Sequence, residues 1–162
     1  MELAAQLQEV INSSGLVTFL VSMVPVIELR GAIPIGVGMG LSPLAALGIS
    51  IVGNLVPVPF IILFIRKIFQ WMRRHIPRLD GLVGRMERKA DKHRDLVLRW
   101  EFWGLLILVA IPLPGTGAWT GALVAALMDL RMKKAFPAIS VGVVIAGIIV
   151  TGITCGFVNL FS

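Results

Sequence analysis

A carboxylate and a guanidinium lie two residues apart, at Glu28 and Arg30, within an otherwise apolar part of the sequence. Pro25 and Pro34 flank the pair, so the chain around it is predicted to unwind from a regular helix. A charge at membrane depth costs about 2.5–3.5 kcal/mol on insertion scales, so such charges usually have a task. We interpret Glu28 as a proton or cation carrier and Arg30 as an anion or phosphate contact. A salt bridge that only holds the segment together is the alternative.

A second group of helix-breaking residues follows an apolar run in the second half of the chain. Two prolines and two glycines fall within the six residues 112–117, where a helix cannot continue. Backbone groups, two hydroxyls and an indole are predicted to bind an anion there, helped by the positive ends of nearby helices. A tight turn without a ligand is the alternative. The candidate binding residues are Pro112, Pro114, Gly115, Thr116, Gly117, Trp119 and Thr120.

Two further residues complete the predicted site, Pro34 beside the charge pair and Asn54 within the next apolar segment. Asn54 either lines the substrate path or makes an interhelical hydrogen bond. The sequence contains no nucleophile–base pair, no metal-ligand cluster and no phosphate loop, so we expect neither an enzyme nor a cofactor. The single cysteine, Cys155, lies in an apolar segment and is expected to be a buried small residue.

The composition predicts an integral membrane protein. Of the 162 residues 57% are hydrophobic and 15% charged, whereas soluble domains carry about 25% charged residues. The mean hydropathy is +0.90. Eleven of the 15 Lys and Arg residues lie between Arg66 and Arg99, which is typical of a cytoplasmic loop. No zinc or aromatic–basic pattern accompanies them, so nucleic acid is not an expected partner.

Charges and helix breakers divide the chain into six parts. A bilayer crossing takes about 20 residues, but the apolar arms beside the breakers hold about ten, enough to reach only the midplane. We therefore predict re-entrant hairpins at these places. The predicted parts are an N-terminal interfacial helix over 1–15, hairpin 1 over 16–41, a transmembrane helix over 44–65, a basic amphipathic linker over 66–101, hairpin 2 over 102–128 and a transmembrane helix over 135–158.

The order of these parts predicts an all-α fold of two repeats, each a re-entrant hairpin followed by a transmembrane helix. Ala45, Ile49 and Ser50 recur in spacing as Ala135, Ile139 and Ser140, in support of the repeat. Basic residues in the linker and in 129–134 predict a cytoplasmic location for both segments. The two repeats are then inverted relative to each other, as in many secondary transporters. With only two full spans, we expect a homodimer or a larger homo-oligomer.

Two motifs, Glu28-Leu-Arg-Gly-Ala-Ile-Pro34 and Pro112-Leu-Pro-Gly-Thr-Gly-Ala-Trp-Thr-Gly121, resemble those of the small multidrug export protein family of bacteria and archaea. That family is similar to a distant branch of the DedA, or VTT (SNARE-associated), superfamily, whose members are implicated in moving lipids, including undecaprenyl phosphate. The resemblance implies a site at the two hairpin tips. DedA proteins carry an arginine near the second motif, whereas this chain has no charge between Phe102 and Met128.

Two functions are consistent with these observations. The first is an ion-coupled transporter of a small molecule or lipid in the inner membrane of a bacterium or archaeon, with its site between the hairpin tips. The second is a non-transporting membrane factor for envelope maintenance or assembly. An aqueous cavity that reaches Glu28 would favour the first, and a sealed contact between the tips would favour the second.

Overall fold

A computed structural model of the chain describes residues 2–113 and 115–161. Every regular element within these ranges is helical, which confirms the predicted all-helical architecture for this part of the chain. A 3-10 turn, Pro77–Leu79, links the fourth and fifth helices. The α-helices are α1 (Glu2–Met23), α2 (Glu28–Gly38), α3 (Pro43–Leu55), α4 (Pro57–His75), α5 (Asp80–Asp91), α6 (Arg94–Ala110), α7 (Ala118–Leu127) and α8 (Met132–Phe161).

Two segments, Pro43–His75 and Met132–Leu160, are long and apolar enough to cross a membrane. Their outer surfaces carry large apolar side chains such as Leu63, Ile148 and Phe157, which are 56, 58 and 64% exposed. A soluble monomer rarely leaves so many large apolar groups in water, but lipid accommodates them. The length of these segments and their apolar surfaces indicate a membrane location.

The chain divides into two compact units. Unit 1 contains the residues up to Val56 and those from Val144 onward, and unit 2 contains Pro57–Val143. Helix α8 is continuous and contributes its first part to unit 2 and its second part to unit 1. Each unit holds one pair of helices joined by a proline-containing turn, followed by a third helix.

In unit 1, α1 and α3 run in the same direction and α2 runs back between their ends. Gly15 of α1 lies beside Ile49 of α3, and Phe19 of α1 lies beside Gly53 of α3, so the residue numbers rise together along the two helices. The Ser14 hydroxyl donates to the Met39 carbonyl at 3.2 Å, next to the end of α2. Helices α1 and α2 thus form an antiparallel pair joined by the turn at residues 24–27.

In unit 2, α6 and α8 run in the same direction. Lys134 near the start of α8 pairs with Glu101 of α6 at 2.6 Å, and Gly142 further along α8 lies beside Val109, further along α6. Because α7 connects the end of α6 to the start of α8, it runs antiparallel to both. Gly121 of α7 packs between Val109 and Ile139.

Both units place a glycine of the third helix against the first helix. A Cβ at Gly53 would lie 2.6 Å from the Phe19 carbonyl oxygen and would collide with the Ser22 hydroxyl. A Cβ at Gly142 would lie 3.0 Å from the Leu106 carbonyl and 2.8 Å from Val109. Leu106 and Val109 follow Phe19 and Ser22 at one common offset along the sequence. Each unit therefore contains a close helix crossing made possible by a missing side chain.

The second helix of each unit also ends in the same way. Leu41 N–H donates to the Gly36 carbonyl at 3.0 Å, and Leu130 N–H donates to the Ala125 carbonyl at 2.9 Å. The residue before each donor is left-handed, Gly40 with φ of 93° and Asp129 with φ of 54°. These are Schellman-type ends, which satisfy carbonyls that a helix would otherwise leave without a donor.

The structure has two helices where the sequence analysis expects one span over 44–65. Helix α3 ends at Leu55 and α4 begins at Pro57. The physical reason is that Pro57 and Pro59 carry no N–H and so cannot donate to the carbonyls four residues earlier. The predicted interfacial helix over 1–15 is likewise continuous with the first arm of hairpin 1, as helix α1.

The glycine crossing in unit 1 yields a stability prediction. We expect Gly53→Ala to lower the free energy of unfolding by about 1–3 kcal/mol, because the new methyl group meets backbone at Phe19. The matched control is Gly48→Ala on the same helix, where no atom lies within 4 Å of an added Cβ. The measurement is the thermal unfolding midpoint in detergent. Equal midpoints for the two variants would contradict this close packing.

Candidate functional site

The turn between α1 and α2 is short and has left-handed backbone at two residues that are not glycine. Val26 has φ of 81° and Glu28 has φ of 50°. Such conformations cost about 1–3 kcal/mol each and are concentrated at functional sites. The Glu28 N–H donates to the Val24 carbonyl at 3.0 Å, which closes the turn. The sequence thus bends sharply at Pro25 and resumes a helix at Glu28 itself.

Glu28 and Arg30 both lie in the first turn of α2. The Glu28 side chain is buried, with 3% exposed, and Arg30 is half-buried. Their opposite charges attract each other. The unwound region is shorter than expected from the flanking prolines, because Pro34 lies inside the continuous helix α2. A carboxylate at the start of a helix is favoured there by the helix dipole.

The other two predicted residues of unit 1 lie in different surroundings. Pro34 is exposed on α2, so it is not part of the turn that holds the charges. Asn54 is buried on α3, with 1% exposed, and the face of α3 that carries it packs against the other helices of unit 1.

Threonine hydroxyls close the loop between α6 and α7 from within. The Thr120 hydroxyl donates to the Gly115 carbonyl at 3.1 Å. The Thr116 hydroxyl oxygen lies 2.7 Å from the Ile111 carbonyl and 2.8 Å from that of Leu113. The sequence predicts that these hydroxyls bind a ligand, whereas in the structure they contact the backbone of their own loop.

The remaining residues of this loop differ in exposure. Gly115 is exposed and Gly117 is buried, and both have positive φ, 88° and 121°. Pro112 and Trp119 are half-buried. Pro114, also predicted as a site residue, lies outside the described residues. Since left-handed backbone disfavours any residue with a Cβ, glycine is the residue that fits positions 115 and 117.

A positive charge reaches the same loop from α5. A Cβ at Gly115 would lie 3.6 Å from Cε of Lys89 and 4.0 Å from its Nζ. Helix α5 packs against α7 through an apolar side in which Val83 and Ala90 are buried. The sequence does not identify Lys89 as a site residue, because Lys89 belongs to the basic linker and no motif connects it with the loop. Its position in the helical pattern, one residue before buried Ala90, was the only available signal.

A second charged cluster lies in unit 2 where α7 ends and α8 begins. Arg66 pairs with Asp129, and Glu101 and Asp129 line one cavity of about 210 Å³ together with Lys134. Hydrogen bonding and then the charge of Lys134 hold the pKa of Glu101 below its ordinary value. All four side chains of these two pairs are 46–74% exposed. This cluster therefore resembles a solvated ion-pair network, each pair of which contributes little stability.

The structure brings Glu28 and Arg30 together in unit 1, and it brings the predicted loop residues together with Lys89 in unit 2. Asn54 belongs to unit 1, on a different helix from the charge pair. Helices with apolar surfaces, interrupted by turns that hold a buried carboxylate or glycine-rich backbone, are typical of a helical membrane protein.

Comparison with known families agrees with this class. Residues 28–149, more than half of the chain, match the family described as "Putative small multi-drug export protein". The chain belongs to this family. The match begins at Glu28 and includes the loop at 112–117 and the start of α8. No curated protein matches the chain, and no solved structure does.

The loop hydroxyl yields a second stability prediction. Thr120→Val keeps the shape of the side chain but removes the hydrogen bond to the Gly115 carbonyl, so we expect a loss of about 1 kcal/mol in the free energy of unfolding. Thr120→Ser retains the hydroxyl and serves as the control. Thermal unfolding in detergent compares the two. A valine variant as stable as the serine variant would show that this bond does not hold the loop.

Proposed function

We propose that this chain is a small transporter that moves a small molecule or a lipid across the membrane, coupled to an ion. The observation that carries the proposal is Glu28, a carboxylate with 3% exposure in left-handed backbone, beside the charge of Arg30. Burying a charged group is costly unless it is paired, so this arrangement is expected where the charge has a task. The family description supports an export function.

The lengths of the apolar arms support a location of the turns at mid-depth. The apolar part of α1, Ser13–Met23, and helix α7 each hold only ten or eleven residues. That corresponds to roughly 15–17 Å of helix, about half of the hydrocarbon thickness. In our proposal these arms belong to re-entrant hairpins whose turns lie near the midplane.

In the proposed mechanism, Glu28 takes up and releases a proton or cation, and Arg30 contacts an anionic group of the substrate. A lipid phosphate is one substrate with such a group. When a proton or cation neutralises Glu28, the positive charge of Arg30 is no longer balanced and attracts the anion more strongly, which couples the two events. Coupling of this kind requires that the occupied and unoccupied states favour different conformations.

The loop between α6 and α7 supplies the second half of the proposed site. Its exposed Gly115 allows a ligand to approach the backbone closely. Lys89 supplies the positive charge that the segment from Phe102 to Met128 lacks. That this loop and the Glu28 turn act on one substrate is part of the proposal.

The topology is also part of the proposal. By the positive-inside rule, the basic linker and the 129–134 segment lie on the cytoplasmic side of the membrane, and the Lys89 side chain extends from the linker toward the loop at Gly115. The two units then form inverted repeats in the inner membrane of a bacterium or archaeon, as in DedA-like proteins. The shared helix order, glycine crossings and helix ends of the two units support a repeat. A homo-oligomer, with lipid and substrate as the other partners and no enzymatic or nucleic-acid-binding activity, completes this picture.

One observation favours the second candidate function, a non-transporting factor for envelope maintenance or assembly. Thr116 and Thr120 direct their hydroxyls to backbone carbonyls of their own loop. A loop closed in this way is also what a purely structural hairpin requires.

Substitution of the buried carboxylate tests the proposed function. We expect Glu28→Gln to reduce transport at least about tenfold, because the amide cannot exchange a proton or balance a cation. The purified chain is reconstituted into liposomes. Flipping of a fluorescent phosphatidylglycerol is measured by dithionite quenching, and uptake of the cationic dye ethidium is measured in parallel.

The matched control is Glu87→Gln, a carboxylate on α5 that pairs with Arg73 at 2.6 Å. It should transport at the wild-type rate. Equal rates for the Glu28 and Glu87 variants would exclude the proposed role of Glu28. Two results together would favour the second function. The wild-type chain would be active in neither liposome assay, and in cells with an envelope defect the Glu28 variant would rescue the defect as well as the wild-type chain does.

Lys89 yields a prediction about headgroup selectivity. We expect Lys89→Gln to slow the flipping of anionic phosphatidylglycerol several-fold more than that of zwitterionic phosphatidylcholine, because only the former gains from a nearby ammonium group. Lys92→Gln, an exposed lysine one turn further along the chain, is the control. Equal slowing of both lipids would contradict a direct contact between Lys89 and the substrate.

A further inference from the structure

One face of α3 carries two buried polar side chains whose oxygens have no hydrogen-bond partner among the described residues. These atoms are Oγ of Ser50 and Oδ1 of Asn54. The two residues are 0% and 1% exposed. A buried polar atom without a partner costs about 1–3 kcal/mol, and native proteins contain only a few of them. Two on one helix face therefore require an explanation.

Neighbouring hydroxyls of unit 1 are satisfied, which sets these two atoms apart. Thr18 donates to the Ser14 carbonyl at 2.7 Å and Ser22 donates to the Phe19 carbonyl at 2.6 Å. Thr154 on α8 donates to the Val150 carbonyl at 2.8 Å. The Thr151 hydroxyl oxygen on α8 also has no partner among the described residues, but that residue is only half-buried. Four hydroxyls of unit 1 thus donate to backbone carbonyls, those of Ser14, Thr18, Ser22 and Thr154, whereas the Ser50 and Thr151 oxygens have no partner among the described residues.

The spacing of Ser50 and Asn54 allows a single small species to contact both. Residues four apart on a helix lie on one face with their Cβ atoms about 5–6 Å apart. Two contacts between oxygen and a cation, each of about 2.3–2.6 Å as for a bound calcium ion, span such a distance. An anion does not fit, because the Asn54 Oδ1 atom is an acceptor only.

The position of Asn54 within the helix favours positive charge. It lies in the last turn of α3, where the helix dipole is negative. Pro57 and Pro59 have no N–H, so the carbonyls of Gly53 and Leu55 lose their usual donors four residues on. In transporters, the negative ends of interrupted helices coordinate the coupling cation. Neither Ser50 nor Asn54 carries a charge, so a monovalent cation is expected rather than a divalent one, which takes carboxylates.

We infer that Ser50 Oγ and Asn54 Oδ1 are ligands of a sodium ion bound within unit 1. The binding of the ion depends only on the geometry of α3. Its role as the coupling ion rests on the proposed function, in which it binds in step with the charge change at Glu28.

Thermal unfolding of the full-length chain in detergent tests the inference. Cys155, the single cysteine, is half-buried, so a thiol-reactive dye reports unfolding. We expect the midpoint of the wild-type chain to rise by at least about 3 °C in sodium chloride relative to choline chloride at equal ionic strength. Ser50→Ala and Asn54→Ala should each abolish this rise, whereas Thr154→Ala should keep it.

A second readout keeps the inference testable if a variant folds poorly. In choline chloride, Ser50→Ala should unfold no lower than the wild-type chain, because its hydroxyl has no hydrogen bond to lose. Equal wild-type midpoints in the two salts would overturn the inference. So would a sodium-dependent rise that survives both alanine substitutions. A Ser50→Ala variant that is destabilised in choline, without any effect of sodium, would indicate a bound water instead.

These outcomes separate the inference from the proposed function. A sodium-dependent midpoint in a chain that transports nothing would support the site and remove its coupling role. Sodium-independent transport that is lost in Glu28→Gln would support the proposed function and overturn the sodium site.

Discussion

The structure depends on where the backbone hydrogen bonds of an apolar chain can be interrupted. In lipid, an N–H or C=O group without a partner costs several kcal/mol, so each break in a helix must be closed by the protein. The described chain closes its breaks locally. The Glu28 N–H bonds to the Val24 carbonyl, and Thr120 bonds to the Gly115 carbonyl. The break at Val56 lies next to Asn54, whose side-chain oxygen has no such partner in the described chain.

Close helix crossings then fix the helices around these breaks. Gly53 and Gly142 bring the third helix of each unit against a backbone carbonyl of the first. Without a hydrophobic driving force between helices in lipid, such contacts provide much of the association energy. Because the crossings hold the arms of each turn in place, strained backbone at Val26 and Glu28 can persist. The strain is thus maintained by packing elsewhere in unit 1.

The sequence was sufficient to predict the helical class and the helix interruptions near Pro25 and Pro112, because prolines and glycines act locally. It overestimated the unwinding near Pro34, since a proline inside a helix does not always end it. It did not predict that Lys89 would lie beside Gly115, because that contact depends on how α5 packs against α7. The lack of a partner at Ser50 was equally hidden, since most serines in helices bond to their own preceding turn. Local sequence patterns do not predict contacts between segments that are distant along the chain.

Both turns are proposed to lie within the membrane, and the depth of a spin label measures this most directly. Single labels at positions 26 and 113, where Val26 and Leu113 are 88 and 56% exposed, are placed in a Cys155→Ala chain reconstituted in lipid. Power saturation with oxygen and a water-soluble nickel complex gives the depth of each label, and a label at Ile76 in the linker provides the reference. We expect both turn labels to lie near mid-depth. Labels as accessible to nickel as the one at position 76 would contradict it.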